Sequence, residues 1–198
     1  MTEPIQKKVV LLGNTAVGKT SIFNRVISDT YIEEGLSTNQ ACYRNKIIKV
    51  QGYDRPLKLN LWDTAGQEKF MSLTNMYVKE ALGVILVYDT TYADSLEGLR
   101  TWYDQVQEHV NVNQVVIAVL GNKCDMLDEC QVTTAEAKRF AKEIEAQIFL
   151  EVSAKENLGI KELLENLAAE LMQRDDSRDR SGSTALTASQ KKKKDGCC

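Results

Sequence analysis

No stretch of this 198-residue chain approaches the roughly 18 consecutive apolar residues that a membrane-spanning helix needs, so any hold on a bilayer must come from something attached. Nor does an apolar signal segment open it, because Met1 to Lys8 is polar. Of the five cysteines, Cys42, Cys124 and Cys130 stand without close pairing. These absences point to a reducing, cytosolic compartment rather than a disulfide-stabilised secreted protein. The net charge is only −3, which gives no global reason to expect a nucleic-acid partner. There is no internal repeat. What is present is an ordinary globular balance, 43% hydrophobic and 27% charged, which excludes a mostly disordered chain. The length suits one domain with a sizeable single core. The charge is uneven, however. After Gln173, seven basic residues face four acidic ones, so the body before it carries a net −6.

Short apolar runs mark the strands. Lys8 to Leu12 ends at Gly13 and is followed by a helical stretch, Ile22 to Ile27. Tyr43 to Val50 and Leu57 to Trp62 read as two strands joined by the turn residues Gly52 to Pro56. Gly83 to Tyr88 and Val115 to Leu120 are nearly all apolar, as strands buried on both faces of a parallel sheet would be, and Ile148 to Val152 is a weaker sixth. Helical spacing separates them. Leu96, Leu99, Tyr103, Val106 and Val110 share one stripe, with Asp94 placed to cap that helix. Thr133 with Glu136 forms a capping-box pattern ahead of Ala137, Phe140, Ala141 and Ile144. Ile160, Leu163, Leu164, Leu167, Leu171 and Met172 make the clearest amphipathic stripe. Strands alternating with helices imply an α/β domain with a mainly parallel sheet. From about Asp175 the periodicity is lost, which reads as a flexible tail over 175–198 behind a folded domain at 1–174.

Between the first strand and first helix lies Gly13-Asn14-Thr15-Ala16-Val17-Gly18-Lys19-Thr20, the pattern G-x-x-x-x-G-K-[ST] in the context it requires. The two glycines permit a tight turn whose consecutive N–H groups face a phosphate, and the helix N-terminus adds positive partial charge. Lys19 supplies a point charge to the outer phosphates, and the Thr20 hydroxyl can ligate Mg²⁺. The base is chosen elsewhere. Asn122-Lys123-Cys124-Asp125 follows a buried strand, at the edge where ligands bind in open α/β sheets. A carboxylate accepts only, so Asp125 can pair with the N1–H and N2–H of guanine and would face an acceptor on adenine. Ser153-Ala154-Lys155 could add a backbone N–H for the guanine O6 and a lysine stem over the ring.

Gly13 to Thr20, Thr38, Trp62 to Glu68, Asn122 to Asp125 and Ser153 to Lys155 match, in order and spacing, the nucleotide motifs of the Ras superfamily of small GTPases. The resemblance covers about residues 5–173, and Trp62 to Glu68, Tyr31 and the terminal Cys197-Cys198 are similar to the Rab family in particular. It implies a single P-loop domain: a six-stranded, mainly parallel sheet with one antiparallel edge strand and helices on both faces. It implies that Thr15, Ala16, Val17, Gly18, Lys19, Thr20 and Ser21 cradle the phosphates of GTP or GDP, that Tyr31 packs edgewise on guanine, and that the Gly66 N–H meets the γ-phosphate. Thr20, Thr38 and Asp63 would serve Mg²⁺, Asp63 through one of its waters, and Thr38 would close switch I only when the γ-phosphate is present. Gln67 would be the catalytic residue, positioning the attacking water.

Between Tyr31 and Thr38 there is no arginine to act as a finger in cis, so hydrolysis should be slow alone and depend on an activating protein in trans. A GTP-bound adaptor with negligible hydrolysis is the alternative, disfavoured by intact Gln67 and Asp63. Many Rabs read Thr-Ile-Gly in switch I where this chain has Thr38-Asn39-Gln40, and Gln40-Ala41-Cys42-Tyr43 is most similar to the early-endosomal branch. Tyr43, Trp62 and Tyr77 align with an aromatic patch read by effectors, although simple packing between sheet and switch II would also account for Trp62. Lys191 to Lys194 followed by Cys197-Cys198 resembles a double geranylgeranylation signal with a polybasic run, enough for stable anchoring. The expected partners are therefore an exchange factor, an activating protein, effectors at the switches, a GDP-dissociation inhibitor, the prenylation machinery and the cytoplasmic face of an intracellular, endosomal membrane. No nucleic acid is among them.

Overall fold

The computed structural model of the chain describes residues 3–33, 38, 41–64 and 74–190, with side chains followed as far as 175. Gly66, Gln67, Asn39, Gln40, Lys191 to Lys194, Cys197 and Cys198 lie outside the described residues.

Six strands form one sheet: β1 (Ile5–Leu12), β2 (Cys42–Ile48), β3 (Leu57–Asp63), β4 (Gly83–Asp89), β5 (Val116–Asn122) and β6 (Ile148–Glu151). Their spatial order is β2-β3-β1-β4-β5-β6, and β2 alone runs antiparallel, at the edge against β3. The expected architecture of a mainly parallel sheet with one antiparallel edge strand is the one observed. Among the described residues five α-helices accompany it: α1 (Lys19–Ser28), α2 (Thr74–Val78), α3 (Ala93–His109), α4 (Thr134–Glu143) and α5 (Ile160–Gln190).

Period-two alternation divides the apolar residues of the sheet between two cores. Val9 and Leu11 of β1, with Leu57, Leu59 and Leu61 of β3, face Ile22, Phe23 and Val26 of α1 and Leu163, Leu167 and Leu171 of α5. Val10 and Leu12, with Val84, Leu86 and Tyr88 of β4, face Leu99, Trp102 and Val106 of α3 and Ala137, Phe140 and Ala141 of α4. At about 25 cal/mol for each Å² of apolar surface buried, these two layers dominate the stability of the domain.

Three details differ from expectation. Strand β1 begins at Ile5, not Lys8, because Ile5, Gln6 and Lys7 pair with Leu57, Lys58 and Leu59. Lys7 is buried there and ion-paired with Asp175 of α5, so a strand that reads as polar is internal. Asp94 does not cap α3. Tyr92 occupies that position, its backbone extended, and the Asp94 carboxylate accepts from the Tyr92 hydroxyl at 3.0 Å. The Thr133–Glu136 capping box, in contrast, is formed in both directions at the start of α4. Helix α5 continues to Gln190, past the boundary expected at 174–175. Its apolar stripe nevertheless ends at Met172, and its extension meets no proline, the residue that would stop a helix outright.

Candidate nucleotide and metal site

The chain leaves the sheet at the carboxyl ends of β1, β3, β4, β5 and β6 into loops that share one edge, the side on which open α/β sheets bind ligands. The first is the loop Gly13 to Gly18. Gly13 has φ +145°, and a Cβ there would stand 2.2 Å from the Val87 carbonyl oxygen. Gly18 has φ +94°, and its Cβ would stand 2.0 Å from Asn122 Nδ2. Neither position can carry a side chain, so the loop stays tight against β4 and β5. Thr15 and Ala16 are exposed on its crest and Val17 is buried beneath. Helix α1 starts at Lys19 with no side-chain cap and no acidic residue in its first turn, leaving its N-terminal N–H groups to an anion.

Lys19 is buried and folds back over the loop, donating from Nζ to the carbonyls of Gly13 at 2.9 Å and Asn14 at 2.7 Å. Burial pushes its ammonium down to about 8, while Asp63 pulls the other way. A phosphate would supply the counter-charge that the loop lacks. Thr20, one residue on, donates from Oγ1 to Asp63 Oδ2 at 2.7 Å and lies 2.7 Å from Thr38 Oγ1. Burial raises the Asp63 carboxyl above the ordinary range, opposed by the Thr20 hydrogen bond and by Lys19. Its second oxygen, Oδ1, is buried with no hydrogen-bond partner among the described residues. Two hydroxyls and a half-satisfied carboxylate make a compact, all-oxygen set, which fits Mg²⁺ rather than a softer metal.

The base-reading loops are tied to the phosphate loop by one side chain. Asn122, buried at the end of β5, donates from Nδ2 to the Val17 carbonyl at 2.9 Å and accepts at Oδ1 from the Ala154 N–H at 3.1 Å. Lys123, with φ +66°, pairs at 2.5 Å with Asp89, a buried carboxylate at the end of β4. Asp125 points a buried Oδ1 that has no partner among the described residues. Ser153 is buried and accepts from the Glu156 N–H at 2.9 Å, turning the loop, and the Lys155 ammonium reaches Glu33 at 3.4 Å. The structure thus brings together the 13–20 loop, Thr38, Asp63, Asn122 to Asp125 and Ser153 to Lys155.

Comparison with known proteins agrees with this arrangement. The model of the Ras family matches residues 8–173. The chain is 35% identical to the GTP-binding protein YPT52 of Saccharomyces cerevisiae, over 84% of this chain and 82% of that protein. It is 37% identical to Ras-related protein Rab-10 of Diplobatis ommata, with 84% and 82% covered, and 37% identical to Ras-related protein Rab-17 of Mus musculus, with 87% and 78% covered. The chain belongs to the Rab branch of the Ras family. It is a GTPase, converting GTP to GDP, and a small GTPase switch in membrane traffic.

In this Rab the three expected aromatics do come together. Tyr43 and Trp62 have ring centroids 5.2 Å apart, and Trp62 and Tyr77 6.3 Å. Tyr43 is exposed while Trp62 and Tyr77 are half-buried against the α3 side of the sheet, so patch and packing describe opposite edges of one cluster. Sequence reasoning missed two further contributors. Asn14 accepts at Oδ1 from the Trp102 indole N–H at 2.8 Å, and Gly98 of α3 stands so close that a Cβ would meet that side chain at 2.5 Å. Asp89 is the other, recognisable only as an acidic residue closing an apolar strand.

Proposed function

We propose that this Rab is a Mg²⁺-dependent GTP/GDP switch whose base selectivity rests on Asp125 and whose nucleotide state is read at Thr38. The observation that carries the reading is the convergence, at one sheet edge, of a side-chain-free phosphate loop with two buried carboxylate oxygens, Asp63 Oδ1 and Asp125 Oδ1, that lack partners among the described residues. An unpaired buried acceptor is costly, and each faces what a different part of one ligand provides. Guanine offers two N–H donors to Asp125. Lys19 and the N–H groups of 15–21 bind and orient the phosphates. When bound, Mg²⁺ would neutralise charge between the outer phosphates.

In this reading Thr20 and Asp63 hold the metal corner, and Thr38 joins it from switch I. Gln67 orients the attacking water, Gly66 contacts the γ-phosphate, Tyr31 lies along the base, and Lys123 and Lys155 flank it. With no arginine in 32–37, charge developing on the transferred phosphoryl group is met by an activating protein in trans, and hydrolysis alone is slow. The tail anchors the protein through lipids on Cys197 and Cys198 with help from Lys191 to Lys194. The Gln40 to Tyr43 sequence supports an endosomal membrane, and the Tyr43–Trp62–Tyr77 cluster with both switches supports an effector surface there.

Competition binding of GTP, ATP and XTP to the wild type and to Asp125→Asn tests the assignment. The variant should lose GTP affinity by orders of magnitude and gain preference for XTP, whose base presents an acceptor where guanine has its amino group. An unchanged preference for GTP in the variant removes Asp125 from the site.

A further inference from the structure

Arg25 belongs to none of the nucleotide motifs, yet it touches both ends of the base site. It projects from the last turn of α1 with its side chain 16% exposed. Its Nε donates to the Ala154 carbonyl at 2.6 Å and its Nη2 to the Lys155 carbonyl at 2.7 Å. Its Nη1 donates to the Asp29 carbonyl at 3.0 Å, and its Cζ lies 5.8 Å from the centre of the Tyr31 ring. Two more contacts join the same segments: Asn157 Nδ2 donates to Asp29 Oδ1 at 2.8 Å, and the Lys155 ammonium to Glu33 at 3.4 Å. Every partner lies either in the loop after β6 or in the stretch that leaves α1 toward Thr38.

We infer that Arg25 is a positioning residue for guanine recognition, fixing the peptide planes of the Ala154–Lys155 loop and coupling that loop to the 29–33 segment. The inference rests on the reading of Ser153 to Lys155 as the loop that meets guanine O6.

The geometry follows from the planar trans peptide, in which C=O and the next residue's N–H point in opposite directions. Holding the Ala154 carbonyl therefore turns the Lys155 N–H away from α1, and no described residue takes it. The Ala154 N–H is aimed by Asn122 from the other flank. The Ala154 N–H is thus taken by Asn122, while Arg25 sets the peptide plane that carries the Lys155 N–H. A guanidinium suits the task. It is planar, permanently charged and presents donors in a fixed fork, so three carbonyls can be held at once, and charge-assisted bonds are roughly twice as strong as neutral ones. A lysine's ammonium is a single point at the end of a flexible stem and offers no planar fork to hold carbonyls on separate segments. An arginine in the last turn of a helix also complements the helix dipole. That role alone would change stability but leave the choice of base untouched.

The test uses the full-length protein with Arg25→Ala and Arg25→Lys, each measured in competition with GDP, 6-thio-GDP and IDP. Sulfur is a weak acceptor, so 6-thio-GDP weakens the O6 contact while keeping both donors for Asp125. IDP keeps O6 and lacks the amino group that Asp125 accepts from. We expect Arg25→Ala to hold GDP about tenfold less tightly, the scale of one charge-assisted hydrogen bond lost from the site. Its preference for GDP over 6-thio-GDP should fall toward one, while its preference for GDP over IDP stays at the wild-type value, since Asp125 is carried by the turn after β5, which Arg25 does not touch. Arg25→Lys should fall between, and its ratios decide the matter if the alanine variant does not fold. Equal losses for GDP and 6-thio-GDP, with a wild type that discriminates between them, would make Arg25 a structural residue and overturn the inference. A wild type that distinguishes neither analogue from GDP would remove the guanine-site reading itself, and this inference with it.

Discussion

Replacing Asn122 by alanine removes the only side chain that bridges the phosphate loop to both base-reading loops among the described residues. Its two hydrogen bonds, at 2.9 Å to the Val17 carbonyl and 3.1 Å from the Ala154 N–H, are both in buried surroundings. Alanine leaves each partner unpaired, at about 1–3 kcal/mol apiece, or about 2–6 kcal/mol if both stay dry. The void is small but polar, so a water entering it would keep the loss near the lower end, about 2–3 kcal/mol. Against a total stability of about 5–15 kcal/mol this is large but survivable. The same loss should appear in the nucleotide, since both loops must be in register to hold it, and at 1.4 kcal/mol per decade it becomes roughly a hundredfold faster release of GDP. Urea unfolding of the GDP-loaded protein and the dissociation rate of a fluorescent GDP analogue measure the two quantities separately. Asn122→Asp is the informative control. It keeps an acceptor for Ala154 but sets a second acceptor against the Val17 carbonyl, so it should be no better than alanine. An alanine variant within about 0.5 kcal/mol of wild type, releasing GDP at the wild-type rate, would show that the bridge does not hold the site together.

Trp102→Phe keeps an aromatic ring in the α3 core and removes the donor to Asn14. Because Asn14 is only half-buried, the cost should be about 0.5–1.5 kcal/mol in thermal or urea unfolding, and a loss above about 3 kcal/mol would mean that the indole stabilises chiefly by packing and not through its hydrogen bond. Gln67→Leu should slow phosphate release at saturating GTP without changing nucleotide affinity, because only water positioning is lost; a wild-type rate would take Gln67 out of the hydrolytic step. Changing Cys197 and Cys198 together to serine should move the protein wholly to the soluble fraction of cells while GDP binding stays intact, and either single change should weaken retention. A double variant still on membranes would mean that another part of the chain is the anchor.

How much could be read beforehand follows from how local each feature is. The phosphate loop is contiguous, its glycines and lysine spaced for one short turn, and so it was legible in full; the unbranched constraint at Gly18, a clash with Asn122, was not. The core strands β4 and β5 announce themselves because both faces are buried and nothing polar interrupts them. Strand β1 hides its first three residues because Lys7 is buried against a partner 168 positions away, which no local pattern can show. Asp94 misleads for a related reason: it has the right residue type two positions too late, and the Tyr92 hydroxyl takes its carboxylate. Arg25 is the clearest loss, since an arginine on a helix reads as a solvated charge until its carbonyl partners, 129 and 130 positions on, are in place.

The arrangement also explains why such a site can switch while the domain around it stays fixed. Asn122, Asp125 and Lys123 sit at the end of a strand buried throughout, and the Ala154 loop is held from two flanks. The proposed base end is therefore anchored, and in that role it would meet the same guanine in GTP and GDP, contributing affinity but no discrimination between the two. Discrimination must come from groups that meet the γ-phosphate or its metal. Of the groups proposed for that role, Thr20 and Asp63 are fixed by α1 and β3, whereas Thr38 belongs to no helix or strand and, among the described residues, reaches Thr20 through one hydroxyl contact of 2.7 Å. A ligand shifts an equilibrium only by its differential affinity for the two states. In the proposed function, one hydroxyl contact on one side and a phosphate-bound metal on the other would let one phosphoryl group tip the position of Thr38. In the function proposed above, the desolvated Lys19 and the half-paired Asp63 would be relieved by nucleotide, which would then stabilise the fold as a whole, while the γ-phosphate would set the position of Thr38.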